Sequence, residues 1–426
     1  MYYLNSNTRR SKIAWLLLIG LAAVFALLYL RSALFPGPID PSVTEYFSLT
    51  IAYKARIYNS NPRILYILKF FLQTILLVWL LFSSTGKTYF QRIEKISRHY
   101  WLVSVLSILS MWLLLKVLSL PFSYYSGYYW QKIWGFSTQS HVAWWIDYLK
   151  SAGIDLSISL VGGLIFFWLV NQLSRYWWMV GAVFFSIWLV ISQLCWPIVI
   201  SPLFNHFEPL TDPAFVTMVD DLAQQAGLNL DAVLVMDASR QTTLVNAYFT
   251  GVGSTKRIVI YDNLLRNYSL PEVKAVLAHE MGHWRYNDII HGIFFGMVGS
   301  FIVFGLLTFL LKPWLPKDNK KPPQLWAALQ LALILLLFVS NPLQNAISRG
   351  MEIRADRFSL ELTGDLTGEI QLHKTLAYSG LSDLSPPSFI VWFSYSHPPA
   401  LDRIKALQKA YFQTHDSPIS KIIISP

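Results

Sequence analysis

Seven stretches of the chain are apolar for long enough to cross a lipid bilayer, and the polar residues gather in the gaps between them. A helix rises about 1.5 Å per residue, so about 20 apolar residues cover a hydrocarbon layer of about 30 Å. The runs fall at about 13–30, 64–84, 101–122, 155–172, 177–200, 291–312 and 325–343. The fourth is the weakest, because Asp155 shortens it and Gly162-Gly163 loosens it. Trp and Tyr crowd several ends, as in Tyr176-Trp177-Trp178, where amphipathic rings suit the headgroup boundary. The first run continues to about Leu30 and stops at Arg31, longer than a signal-peptide core and suited to a retained span.

Two segments interrupt this pattern with water-compatible sequence, about 201–290 and about 344–426. In the first, Asp212-Pro213 reads as a helix start and Gly227 as its stop. Three strand-like runs follow, at Val233–Met236, Asn246–Phe249 and Arg257–Tyr261. Ser269-Leu270-Pro271-Glu272 is then a capping box with Pro inside the first turn, which predicts a helix running through His283. There are no internal repeats and no low-complexity tracts.

Composition changes this picture little. Of 426 residues, 54% are hydrophobic and 14% charged, well below the quarter or so usual for a soluble domain. The net charge of +10 comes from Lys and Arg flanking the apolar runs, which suits membrane topology and anionic lipid rather than nucleic acid. Cys195, the single cysteine, excludes an intramolecular disulfide and a thiolate cluster; inside an apolar run it is expected to be a buried small hydrophobe.

The chemistry begins at His279-Glu280-Met281-Gly282-His283. Residues four apart share one face of a helix, so both imidazoles can reach one ion. Glu280 projects beside them, placed to take a proton from a water at that ion. Two nitrogens and a carboxylate suit one Zn2+ with a fourth position open, so a third protein ligand is required. Glu352, 69 residues after His283, is the best candidate, because the sixth and seventh spans leave and return to the same side. In Ser348–Asp356, read as helical, Glu352 and Asp356 lie one turn apart on one face, where Asp356 would accept the free N–H of a ligand imidazole. On spacing alone the same segment also fits a solvated helix whose acids pair with Arg349 and Arg354.

His279–Trp284, Ser348–Phe358 and Ser396-His397-Pro398-Pro399 followed by Arg403 together resemble the type I CAAX prenyl proteases. Pro202–Asn205, Asn246–Phe249 and Lys256–Val259 fit the same family in the same order. The resemblance covers nearly the whole chain. It implies a zincin-like α+β metalloprotease domain on a seven-helix membrane bundle that encloses a chamber, with Glu352 as third zinc ligand and Asp356 behind it. It implies a peptide substrate lying along Asn246, Ala247 and Tyr248, and a site role for His397 as oxyanion donor. Arg403 would anchor either the His-Pro-Pro turn or the Glu352 helix. The other histidines, His99, His141, His206, His291, His373 and His415, read as interfacial or surface residues. Two departures from the family pattern, Leu244-Val245 and Asp288 where a His is common, are expected to leave the metal set untouched and to bear on substrate choice.

The chain then divides into residues 1–200 with five spans, 201–290 with the first protease segment, 291–343 with spans six and seven, and 344–426 with the second. The expected activity is zinc-dependent hydrolysis of peptide or membrane-protein substrates, prenylated C-termini among them, within a lipid bilayer and without nucleic acid. Membrane-protein quality control is the alternative, and an idle scaffold or transporter with a structural zinc is disfavoured by the intact Glu280. The membrane is a bacterial inner membrane or the endoplasmic reticulum. Arg9, Arg10, Lys12, Lys87, Arg92, Lys95, Arg98, Arg175, Lys312, Lys317, Lys320 and Lys321 crowd the face opposite the protease segments, and the positive-inside rule makes that face cytoplasmic. The resemblance implies instead a cytoplasmic protease domain, and the reading follows it.

Overall fold

The computed structural model describes residues 6–230, 232–251, 256–315 and 323–415; of the charges just named, Lys317, Lys320 and Lys321 lie outside these, as does the side chain of Arg9. In chain order the first half is helical: α1 (Ser6–Leu34), α2 (Leu49–Phe82), α3 (Ser84–Ile96), α4 (Tyr100–Tyr124), α5 (Trp130–Ile133), α6 (His141–Gln172) and α7 (Trp177–Cys195). A mixed segment follows: β1 (Phe207–Pro209), α8 (Pro213–Ala226), β2 (Ala232–Met236), β3 (Ala247–Thr250), β4 (Arg257–Tyr261), α9 (Asp262–Asn267) and α10 (Leu270–Arg285). The chain re-enters the helical bundle as α11 (Asp288–Leu310) and α12 (Gln324–Thr363), then ends in α13 (Leu366–Ser379), α14 (Ser388–Ser394) and α15 (Ala400–His415).

Among the described residues seven helical segments are long and apolar enough to cross a membrane, one for each predicted run. They are longer than the apolar runs, because the polar ends continue the helices beyond the hydrocarbon. α6 departs most from expectation. It runs 32 residues unbroken, with Asp155 accepting from Trp112 Nε1 at 3.1 Å and paired with Lys116 Nζ at 2.7 Å. Gly163 is where α4 and α12 come close, since a Cβ there would lie 2.6 Å from Ile108 and 3.0 Å from Trp326. The glycine serves helix contact instead of loosening the span.

α12 is the axis of the bundle: 56% of its apolar window is buried, against 6% for α7. Phe338 on α12 stacks on Phe70 of α2 with ring centroids 3.8 Å apart. The difference corrects the expectation for Cys195, which is exposed on α7. An apolar run records avoidance of water without saying whether lipid or protein covers it, and most of the α7 window is not buried within the protein.

The sheet has the order β1-β2-β4-β3, with β2 and β4 parallel and both outer strands antiparallel to their neighbours. β3 is therefore an edge. β1, three residues long, carries no period that sequence could show. Leu222 from α8, Ile258 and Ile260 from β4, and Leu277 and Met281 from α10 form the core beneath the sheet, and Leu372 from α13 joins them. The helix starts follow their sequence signals. Asp212 accepts from Ala214 N–H at 2.9 Å, Gly227 closes α8 at φ +65°, and Glu272 accepts from Ser269 N–H at 2.9 Å to fix the start of α10.

Candidate functional site

α10 and α12 cross in close contact at Gly282. A Cβ there would lie 3.0 Å from Ala355 Cα, so only glycine lets the two backbones approach this far. This contact sets the histidines of α10 against the acids of α12, which is one continuous helix from the seventh span through Glu352 and Asp356 to Thr363. Glu352 therefore reaches the site on the continuation of a membrane span, not on a separate helix beyond it.

His279 Nε2 and His283 Nε2 lie 3.1 Å apart, and Glu352 places Oε2 3.2 Å from the first and Oε1 3.5 Å from the second. Ligands at about 2.0–2.1 Å from a tetrahedral zinc stand about 3.3 Å from one another. The three groups are thus already spaced as the edges of such a site. Glu352 Oε2 is buried without a hydrogen-bond partner although an imidazole is near, because both groups aim at a common point instead of at each other. An orphaned carboxylate oxygen beside two converging nitrogens fits a divalent cation.

The far nitrogen of each imidazole is occupied. His279 Nδ1 lies 2.9 Å from Asp356 Oδ1, and Asp356 is gripped by Arg403, whose Nε donates to Oδ2 at 2.7 Å and whose NH2 bonds Oδ1. Arg403 thus bonds the helix that carries Glu352. His283 Nδ1 lies 2.9 Å from Asp288 Oδ2, and Asp288 is bonded by Arg354 NH2. This overturns the expectation that Asp288 leaves the metal set untouched. It begins α11 just beyond a turn in which Asn287 adopts φ +54°, and that turn swings it back onto His283. The arginines expected to solvate the acids of α12 do other work: Arg349 bonds the carbonyls of Val391 and Tyr395 at 3.0 and 2.6 Å, tying α14 to α12.

Glu280 accepts from the backbone N–H of Phe249 at 3.1 Å, so the base candidate sits beside the edge strand β3. Burial pushes its pKa up, against the opposing pull of the two histidines. Burial alone would depress His279, but Asp356 and Glu352 overcome it and carry the imidazole up to about 10. Of the predicted strand residues, Asn246 is exposed, Ala247 buried and Tyr248 half-buried. His397 stands on the turn between α14 and α15 with Nε2 3.2 Å from Glu352 Oε1 and its side chain 60% exposed, facing the open side of the site.

Two buried groups behind Asp356 escaped sequence reasoning. His373, expected at a surface, is buried on α13 with Nε2 3.9 Å from Asp356 Oδ1, and the surroundings that exclude water press its pKa down to about 3. Glu369, one turn earlier, is bonded to Ser359 Oγ, which also donates to Ala275 O at 2.9 Å. A hydroxyl has one proton, so both contacts are satisfied when Glu369 is protonated and donates; burial carries its pKa up to about 7. α13 is amphipathic in the ordinary way, and nothing in its sequence marks which face meets the site.

Residues 209–411 match the description of peptidase family M48, and residues 28–206 match that of the CAAX prenyl protease N-terminal region with five membrane helices. The chain is 30% identical to an uncharacterized metalloprotease, YhfN, of Bacillus subtilis, over 83% of this chain and 84% of that one. It is 28% identical to CAAX prenyl protease 1 of Saccharomyces cerevisiae, over 75% and 74%. Its fold superposes on the crystal structure of Saccharomyces mikatae Ste24p with a TM-score of 0.77 and 22% identity, covering 96% of this chain and all of that one.

Proposed function

This chain belongs to peptidase family M48 and is an integral-membrane metallopeptidase, and from that premise we propose that it is a zinc-dependent endopeptidase with His279, His283 and Glu352 as ligands and Glu280 as base. The observation that carries the ligand set is the convergence of two imidazole Nε2 atoms 3.1 Å apart on the Glu352 carboxylate, whose unbonded Oε2 lies 3.2 Å from one and whose Oε1 lies 3.5 Å from the other, with both Nδ1 atoms already turned to carboxylates. Residues 201–290 and 344–426 are proposed to form one protease unit, facing the cytoplasm as the resemblance implies.

A zinc at this point would polarise a scissile carbonyl and acidify the attacking water. The protein supplies the rest. A substrate segment lies extended along β3, the edge strand, where main-chain pairing orients its carbonyl. Glu280, already at hydrogen-bond distance from that strand, removes the proton from the water and delivers it to the departing amide nitrogen. Burial, which raises its pKa, makes it a stronger base than a solvated carboxylate. His397, on the exposed side, donates to the oxygen on which charge builds. Asp356 with Arg403 keeps the Nδ1 proton of His279 in place, so that Nε2 stays turned to the metal.

The substrate class proposed is a peptide at the membrane, the prenylated C-terminus of a protein foremost, as the name of the yeast relative suggests. Glu280→Gln tests the reaction. It is expected to retain one zinc per chain and to lose about 100- to 10,000-fold in peptide hydrolysis, the range of a general base. Appreciable turnover by a zinc-loaded Glu280→Gln enzyme refutes the assignment. Paired peptides with and without a farnesyl group then decide the substrate class.

A further inference from the structure

We propose that Asp288, clamped by Arg354, is the positioning residue for His283 and makes zinc affinity depend on how the sixth and seventh spans emerge from the membrane. The inference rests on the ligand set proposed above. Asp288 sits in the first turn of α11, where a carboxylate is favoured by the helix dipole, and it is 7% exposed. The charged and titratable groups that face it are His283 Nδ1 at 2.9 Å, Arg354 NH2 in direct contact and His291 Nδ1 at 3.9 Å. Of these, only His283 turns its other nitrogen toward Glu352.

The clamp closes a ring. α10 carries His283; five residues on, where the chain enters the sixth span, stands Asp288. Arg354 lies 66 residues further, where the chain has left the seventh span, two positions after Glu352. The guanidinium is centred 5.0 Å from the ring of Tyr286. A shift of α11 against α12 therefore moves Asp288 with respect to Arg354 and releases the Nδ1 proton of His283. The imidazole can then rotate, and Nε2 leaves the point shared with His279 and Glu352. Asn287 makes the geometry obligatory, because its left-handed conformation is what returns the carboxylate to α10.

Full-length protein in detergent, stripped of zinc by a chelator, provides the test. Zinc dissociation constants are measured by competition with a chromophoric chelator for wild type, Asp288→Ala and Asp288→Asn, alongside the melting temperature of each zinc-free form. Asp288→Ala is expected to weaken zinc about 10- to 100-fold, with Asp288→Asn in between because its amide oxygen still accepts the Nδ1 proton. Zinc-free melting should not differ among the three. Wild-type affinity in Asp288→Ala overturns the proposal while leaving the ligand set intact. A lowered zinc-free melting temperature with no recovery in Asp288→Asn assigns the residue a purely structural role and also overturns it. Failure of the wild type to bind one zinc refutes the ligand set itself, and the proposal with it.

Discussion

The two histidines of the site are held by the same device in two different settings. Each gives its Nδ1 proton to an aspartate, and each aspartate is bound by an arginine. Around His279 the couple is enclosed: the side chains of Asp356 and Arg403 are 7% and 13% exposed, with His373 and Glu369 packed behind them. Around His283 the aspartate is equally buried, but Arg354 is 43% exposed and lies where two spans leave the bundle. Charge pairs in low dielectric are strong and costly to break singly, whereas exposed ones contribute little and are screened by salt. The two couples should therefore differ in strength, with the doubly bonded, enclosed His279 side a fixed wall and the singly bonded, partly exposed His283 side an adjustable one.

Glu352 lies between the two sides, 3.2 Å from one imidazole and 3.5 Å from the other, so its loss should exceed any effect confined to either. Glu352→Ala is expected to weaken zinc on the order of 1,000-fold, because two imidazoles alone hold the ion poorly. Elemental analysis after dialysis reads this directly, and full occupancy would mean that another group ligates.

The arginines separate the two sides. Arg403→Gln is expected to weaken zinc about 10- to 100-fold at any ionic strength, since Asp356 then stands buried beside His279 without its partner. Arg354→Gln should cost less than Arg403→Gln, because its guanidinium is partly exposed, and that loss should shrink further in high salt. Zinc titrations of both variants at low and high salt give the answer. Equal losses with equal salt dependence would abolish the distinction.

The smallest effect concerns the reserve behind the enclosed couple. Glu369 has its folded pKa raised to about 7 from an ordinary value near 4.5, so it favours the folded state most when protonated. That contribution is complete below about pH 4.5 and is lost as pH rises through about 7, at most about 3 kcal/mol at 1.36 kcal/mol per pKa unit. Melting of the wild type between pH 5 and pH 8 should therefore fall more steeply than that of Glu369→Gln, which keeps an uncharged group at the same place. Parallel pH dependence in the two proteins would show that Glu369 is ionised throughout.

Chain order alone determined the parts of this protein whose signals are local. Seven apolar runs specify seven spans because hydrocarbon thickness demands a minimum helix length. The capping box at Ser269–Glu272 starts α10, and helical pitch brings His279 and His283 to one face. Tertiary structure decided everything that depends on how distant elements cross. It brought Glu352 to the histidines on the extension of α12, across the contact at Gly282. It set Arg403, 124 residues from His279, on Asp356, and bent Asp288 onto His283 through the turn at Asn287. It also buried His373 and left Cys195 exposed. Hydrophobic periodicity says that a face avoids water; it does not say whether lipid, core or an active site covers that face, and only the crossing of the helices answers that.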